Sequence, residues 1–155
     1  EVDGKTYSGC PLQFDWAPGS SHTIATTSPQ SSWWNWYFVP VGVMDGGQEI
    51  WTSWSDGGAM SHTVETPAAA TTYTANFKTR FLLVTSVSPA GGGTIQPATG
   101  PTGAWYDENT VVTVTATPNP GYTFSGWWGG CYGNGPCQVT MQSPGAVIAN
   151  FAPGP

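Results

Sequence analysis

Apolar and polar residues alternate along several short segments of this chain, a pattern that is typical of half-buried β-strands. Residues 111–116 are rich in β-branched side chains, and residues 122–127 alternate aromatic with small side chains. Residues 118–121 lie between these segments, read Pro-Asn-Pro-Gly and predict a turn. Glycine or proline interrupts the stretches with a helical period. The pattern therefore predicts an all-β or β-rich fold.

The chain also contains an internal repeat. Trp54 and Trp127 are each followed within four residues by Gly-Gly, and each segment ends in Ala-Asn-Phe, at residues 75–77 and 149–151. Two further pairs of segments align between these landmarks and upstream of them: residues 62–64 with 138–140, and residues 22–26 with 112–116. Repeats of this size indicate small structural units that recur along a chain.

We therefore expect two tandem small β-repeat modules, residues 1–79 and residues 80–155. Each module is short, so its hydrophobic core is expected to be small. We therefore expect additional stabilisation by a covalent cross-link or by packing against a neighbour. Trp127 and Phe151 are the expected core residues of the second module, because they stand at the ends of the aligned segment, where the first module also has tryptophan and phenylalanine.

The cysteine spacing predicts one such cross-link. Cys131 and Cys137 are separated by five residues that include two glycines and a proline, which predicts a looped disulfide in an oxidising compartment. No histidine or second cysteine pair lies near them to suggest a metal site. Cys10 is left over, as a free thiol or as the partner of another segment or chain.

The first module carries an insertion. Pro29 and Trp54 are 25 positions apart, whereas Pro118 and Trp127 are 9 apart, so the first module has about 16 extra residues. The insertion, at about residues 31–50, holds two apolar runs around Asp-Gly-Gly and predicts a β-hairpin. Its aromatic side chains, with one just beyond it, are the candidate ligand-binding or interface residues: Trp33, Trp34, Trp36, Tyr37 and Trp51.

Three interpretations of this aromatic hairpin remain open. Both faces can be buried, one on the module and the other on the neighbouring copy. One face can instead be a platform on which sugar rings stack, because aromatic faces combine flat apolar area with polar edges. Alternatively, the hairpin docks on another subunit and extends a sheet edge there.

Charge narrows the range of partners. The formal net charge is −6, the chain has three lysines and arginines in total, and 8% of its residues are charged, against about 25% in typical domains. Nucleic-acid binding requires clustered cations that displace counterions, so we expect no nucleic-acid partner. No apolar run approaches the roughly 20 residues of a membrane span, so we expect no membrane insertion.

Residues that could support catalysis are few. His22 and His62 both follow serine and precede threonine and a β-branched residue, which suggests paired strands rather than a nucleophile and its base. The nine acidic residues are scattered, and the Asp-Gly-Gly sequence at residues 56–58 favours a turn over a calcium loop. We therefore expect no enzyme activity, no cofactor and no metal.

Residues 112–151, with their Ala-Thr-Pro-Asn-Pro-Gly-Tyr-Thr-Phe-Ser-Gly-Trp sequence and closing Ala-Asn-Phe, resemble the bacterial divergent internalin-type B-repeat. Parts of the first module, around Trp16 and Trp54, extend the resemblance. It implies compact β-rich modules, grasp-like or sandwich-like, along secreted or cell-wall proteins. It also implies stalk, adhesion or accessory-binding roles without shared catalytic residues.

These observations lead to one functional hypothesis and two rivals. The chain is expected to be part of a larger extracellular or bacterial cell-surface protein and to attach it, through the aromatic hairpin, to a polysaccharide or surface glycan. In the first rival, the chain binds other copies of itself as a subunit or stalk of an extracellular fibre, with Cys10 available for an intermolecular bond. In the second, it is an accessory domain of a secreted hydrolase.

Overall fold

The computed structural model describes residues 1–31 and 46–154, and the regular elements in these ranges are all β-strands. The predicted all-β class is therefore confirmed. The strands in chain order are β1 (Ser21–Ala25), β2 (Gln30–Ser31), β3 (Gly47–Trp54), β4 (Ser61–Glu65), β5 (Ala75–Ser88), β6 (Gly93–Gln96), β7 (Gly100–Asp107), β8 (Val111–Pro118), β9 (Tyr122–Gly129), β10 (Cys137–Thr140) and β11 (Gly145–Pro153).

The chain divides into two compact units. The first unit consists of Glu1–Gln30 and Glu49–Lys78, and the second consists of the described residues within Ser31–Gln48 and Thr79–Pro155. The change from one unit to the other falls inside β5. That strand is continuous because residues 81–84 form an unbroken apolar run without glycine or proline.

In the first unit, β1 pairs with β4 in an antiparallel ladder. His22 lies opposite Val64 and Ile24 lies opposite His62, so the paired strands predicted for the two histidines are confirmed. A small core of Val2, Ile24 and Val64 lies beneath this ladder. Partly buried aromatic side chains complete it: Tyr7, Phe14, Trp16, Trp54 and Tyr73.

The second unit contains a three-stranded antiparallel sheet in the order β10–β8–β6. In its other sheet, β11 lies between β5 and β9 and pairs antiparallel with β9. The pairing between β11 and β5 is parallel and joins residues 145–150 to residues 83–88. β7 pairs with β5 in the antiparallel direction.

The core of the second unit is larger. Its largest fully buried side chains are Leu83, Val114, Cys137, Met141 and Val147. Trp127 and Phe151 are only 8% and 5% exposed, so their predicted place in the core is confirmed. The ring of Phe124 meets both edge-on, with centroid distances of 4.8 Å to Trp127 and 5.8 Å to Phe151. Edge-to-face contact is the favourable packing of aromatic rings.

A β-bulge interrupts β9 just before Trp127. Asn150 lies opposite Gly126 and Phe151 lies opposite Phe124, which leaves Ser125 as the extra residue. Gly126 has a φ of +138°, and a Cβ there would lie 2.9 Å from the Asn134 side-chain oxygen. Glycine is therefore required at the bulge, both for its backbone conformation and for the close approach of the next loop.

Each unit contains an internal hydrogen bond at the same position of the sequence repeat. The asparagine of each Ala-Asn-Phe donates a hydrogen bond to the residue that precedes the tryptophan. Asn76 Nδ2 lies 3.1 Å from Ser53 Oγ, and Asn150 Nδ2 lies 3.3 Å from the Gly126 carbonyl oxygen. One asparagine in each unit thus connects the end of the repeat to the strand that carries its tryptophan.

The ladders correct one detail of the sequence alignment. Val64 lies opposite His22, and Val139 lies opposite Val112, the residue that aligns with His22. Val64 therefore corresponds to Val139 and His62 to Cys137, one position away from the alignment of residues 62–64 with 138–140.

Candidate binding surface

Most of the predicted aromatic platform falls outside the described residues. Trp33, Trp34, Trp36 and Tyr37 lie there, as does most of the hairpin at about residues 31–50. Trp51 is described and lies on β3, so the predicted strand character of this segment is confirmed.

Trp51 is only partly exposed, and its surroundings are those of a packed side chain. Its backbone N–H donates to Ser28 Oγ at 3.1 Å. Its indole Nε1 is buried and has no hydrogen-bond partner among the described residues. A buried donor without a partner is unfavourable, and because Nε1 is buried this edge of the Trp51 indole does not face solvent.

Two other aromatic residues face outward in the second unit. Trp128 is 58% exposed and Tyr132 is 76% exposed. Trp128 follows the buried Trp127 on β9, and successive residues on a strand point to opposite faces. Tyr132 lies in the loop between Cys131 and Cys137. These are the largest exposed aromatic surfaces of the described chain.

The loop that holds Tyr132 is fixed at several points. The predicted disulfide between Cys131 and Cys137 is present and closes it. Within the loop, the Gly133 carbonyl accepts the Trp127 backbone N–H at 2.8 Å, and the Gly135 carbonyl accepts the Trp127 indole N–H at 2.9 Å. A loop that is ordered before binding loses less entropy when a ligand arrives.

The first unit contains a chain of hydrogen bonds through His22. Ser20 Oγ lies 2.9 Å from His22 Nε2, and His22 Nδ1 lies 2.7 Å from Asp3 Oδ2. Asp3 Oδ1 accepts the Thr23 backbone N–H at 2.8 Å, and the His22 ring stacks on Trp16 with a centroid distance of 3.9 Å. The order serine, histidine, aspartate is that of a nucleophile, its base and the group that orients the base.

The remaining contacts of Ser20 favour a structural role for this chain of bonds. Its hydroxyl lies 2.6 Å from the Ala17 carbonyl, which accepts its proton, and its backbone N–H also donates to Ala17. The Gly19 N–H donates to the Thr66 carbonyl at 2.8 Å. The N–H groups beside Ser20 are thus engaged, whereas acyl transfer requires free donors for the oxyanion.

His62 forms a second bonded pair in the same unit. His62 Nε2 lies 2.9 Å from Asp56 Oδ2, and His62 Nδ1 lies 2.7 Å from the Ala59 carbonyl. The Gly58 N–H donates to Asp56 Oδ1 at 3.0 Å, so residues 56–58 form the predicted turn. Trp54 lies edge-on to the His62 ring, and its own indole N–H donates to the Met60 carbonyl at 3.2 Å.

Both aspartates are shifted towards the ionised form. The hydrogen bond from His22, assisted by that from Thr23, lowers the pKa of Asp3 below its ordinary value of 3.8. The backbone N–H of Gly58, followed by His62, lowers the pKa of Asp56 below the same value. Hydrogen bonds to a carboxylate favour its charged form. Both side chains are therefore anionic acceptors at neutral pH.

The described residues contain no group of three or more histidine, cysteine or acidic side chains placed to hold a metal ion. In the same ranges, no helix is long and apolar enough to cross a membrane. Cys10 is exposed and is not disulfide-bonded. The surface features that stand out are therefore aromatic rather than ionic.

Sequence reasoning missed the two exposed aromatic residues, Trp128 and Tyr132, and both aspartate–histidine pairs. The adjacent Trp127 and Trp128 carried a signal, since only one of two neighbours on a strand can face the core. Asp56 and His62 also carried one, because they are six positions apart, as Cys131 and Cys137 are. The pairing of Asp3 with His22 across 19 positions had no local signal.

Comparison with known protein families finds a match for most of the second unit. Residues 83–155 match the family model of the divergent InlB B-repeat domain. This confirms the resemblance found in the sequence, for one copy and not for two. No curated protein and no solved structure matches the chain. The family suggests a bacterial surface repeat domain, and such domains are typically found in surface or secreted proteins.

Proposed function

Starting from the match of residues 83–155 to the divergent InlB B-repeat domain, we propose that this chain is a non-catalytic module that attaches a bacterial surface or secreted protein to a neutral polysaccharide. The observation that carries the proposal is the outward position of Trp128 and Tyr132, one on a strand and the other on a disulfide-closed loop.

Sugar rings suit such a surface. Their C–H faces pack against flat aromatic rings, and their hydroxyl groups bond to the polar edges nearby. Trp128 and Tyr132 each combine a ring face with a hydrogen-bonding group at its edge. Because β9 and the disulfide hold the backbone at both positions, binding fixes mainly side-chain rotations.

The charge distribution favours a neutral partner over an anionic one. The formal net charge is −6, and the three cationic side chains have contacts of their own. Lys5 lies over the Tyr7 ring, with its Nζ 5.3 Å from the centroid. Arg80 donates to Gln48 Oε1 at 2.8 Å and lies over Trp105, and Lys78 is also engaged. No cationic cluster is left to bind phosphate, sulfate or uronate groups.

Affinity for insoluble and soluble neutral polysaccharides tests the proposal. We expect Trp128→Ala and Tyr132→Ala each to weaken binding by about tenfold, in line with the loss of one aromatic contact. Val111→Ala is the matched control, since Val111 is 55% exposed and apolar but not aromatic. Trp34→Ala and Trp36→Ala in the same assay test the predicted contribution of the hairpin.

The result also separates the rival functions. Binding that is unchanged in Trp128→Ala, Tyr132→Ala and the hairpin variants would contradict the proposal. The exposed Cys10 favours self-association as a second candidate function. Regular polymers in negative-stain images, together with the absence of polysaccharide binding, would support that alternative. Size-exclusion chromatography of Cys10→Ser would then show whether the thiol links the copies.

A further inference from the structure

Each unit closes the loop after its tryptophan strand with a bond between side chains six positions apart. In the second unit this bond is the disulfide Cys131–Cys137, and in the first it is the contact between Asp56 and His62. The register of the ladders gives His62 the same place as Cys137, because Ile24 lies opposite His62 and Val114 lies opposite Cys137.

The tryptophan indoles confirm that the two loops correspond. Trp54 Nε1 donates to the carbonyl of Met60, inside the loop of the first unit. Trp127 Nε1 donates to the carbonyl of Gly135, inside the loop of the second unit. In both units, the closing bond therefore holds the loop over the edge of a tryptophan that packs against the local core.

The two hydrogen-bond partners of His62 are both acceptors. A carbonyl oxygen and a carboxylate oxygen only accept hydrogen bonds, so Ala59 and Asp56 each require a proton on the nitrogen that faces them. His62 makes both bonds only as the doubly protonated imidazolium. At His22 the partner of Nε2 is a hydroxyl instead of a carbonyl oxygen, and because Ser20 Oγ donates its one proton to Ala17, it accepts from Nε2.

We propose that Asp56 and His62 form an ionic clasp in the place of the disulfide, so that the loop of the first unit opens with pH and that of the second opens with thiols. The clasp needs an ionised carboxylate and a charged imidazolium at the same time. The proposal is independent of the polysaccharide function, since it concerns how each loop is closed and not what the surface binds.

The clasp is lost on both sides of a pH window. The pKa of Asp56 is lowered in the folded state. The stabilisation that its carboxylate gives the folded loop is therefore complete above pH 3.8, the ordinary pKa, and is lost as the pH falls through the lower pKa of the folded state. At the alkaline side, loss of a proton leaves one His62 nitrogen facing an acceptor. The described partners of the His62 ring are the Ala59 carbonyl, the Asp56 carboxylate and the Trp54 ring, and of these three groups Asp56 is the ionisable one.

Hydrogen exchange of the two indole N–H groups, followed by NMR in one sample of the whole chain, tests the proposal. The pH is raised in steps from about 5 to about 9, a range in which imidazole groups in general change charge. After correction for the intrinsic rate, we expect Trp54 indole exchange to accelerate by about tenfold, while that of Trp127 stays constant. A thiol reductant at about pH 6 should accelerate Trp127 exchange and leave Trp54 unchanged.

A variant pair isolates the carboxylate. Asp56→Asn keeps an oxygen for the Gly58 N–H but removes the charge, and we expect Trp54 exchange to become fast and insensitive to pH. Asp3→Asn, which removes the equivalent charge beside His22, is the control and should leave Trp54 exchange unchanged. If Asp56→Asn unfolds the first unit, the titration of the unmodified chain decides, since β1–β4 amides must stay protected while the Trp54 indole exchanges.

Two outcomes would overturn the proposal. In the first, Trp54 and Trp127 respond together to pH or to the reductant, which would mean that the loops are not closed separately. In the second, Trp54 exchange in the unmodified chain and in Asp56→Asn shows the same pH dependence.

Discussion

Neighbouring residues of this chain have opposite roles, and Trp127 and Trp128 show this most clearly. Trp127 is 8% exposed, packs on Phe124 and donates its indole N–H to the disulfide loop. Trp128 is 58% exposed on the opposite face of the same strand. Alternation along a strand thus separates a residue that stabilises the unit from one that is free to bind.

Truncating the buried member should destabilise the chain. We expect Trp127→Ala to lower the free energy of unfolding by about 3–5 kcal/mol, because it leaves a large cavity in the core. It also leaves the Gly135 carbonyl without its donor. Trp128→Ala is the control and should change stability by less than about 1 kcal/mol. Denaturant unfolding followed by circular dichroism measures both, and equal midpoints would show that Trp127 is not a core residue.

At the scale of elements, the bulge in β9, the disulfide loop and the end of β9 depend on one another structurally. The bulge at Ser125 and Gly126 admits the loop, and β9 ends at Gly129, which has a φ of +98°. A Cβ at Gly129 would collide with the carbonyl oxygen of Ala146 on β11. Glycine is therefore required where β9 leaves the sheet, by conformation and by space.

A pair of glycine variants tests this. Gly129→Ala should cost about 2–4 kcal/mol of unfolding free energy, since left-handed backbone strain and the contact with Ala146 add together. Gly135→Ala is the matched control, because Gly135 has open space around it and its φ lies outside the left-handed region. It should change stability by less than about 0.5 kcal/mol. Thermal unfolding of the two variants compares them, and equal melting temperatures would refute the requirement for glycine.

Local patterns predicted several elements of the second unit. The strands at residues 111–116 and 122–127, the turn between them, the disulfide and the two core residues followed from alternation, turn chemistry and cysteine spacing. Tertiary pairing was not predictable in the same way. The Asp3–His22 pair and the parallel β5–β11 contact join distant segments, and neither leaves a periodic signal in the sequence.

At the scale of the whole molecule, low charge is the dominant property. A chain with 8% charged residues and a net charge of −6 gains little from electrostatic attraction to a polyanion. Its interactions are instead expected to depend on apolar and hydrogen-bonding contacts, which act only at short range. The exposed aromatic residues and the three engaged cations agree with such a surface.

The salt dependence of binding should reflect this property. We expect polysaccharide affinity to change by less than about twofold between about 50 and about 500 mM sodium chloride, since no counterions are released on stacking. Affinity electrophoresis or calorimetry at several salt concentrations measures the slope. A steep fall in affinity with salt would indicate a charged partner, contrary to the proposed function.

The parallel contact between β5 and β11 also determines how the second unit carries a mechanical load. Tension on the amino-terminal end of β5 and the carboxy-terminal end of β11 pulls these two strands in opposite directions along their length. The hydrogen bonds between residues 83–88 and 145–150 are then sheared together and cannot open one at a time. Forced unfolding is governed by the rate of crossing that barrier, so we expect this unit to resist tension applied between these two ends.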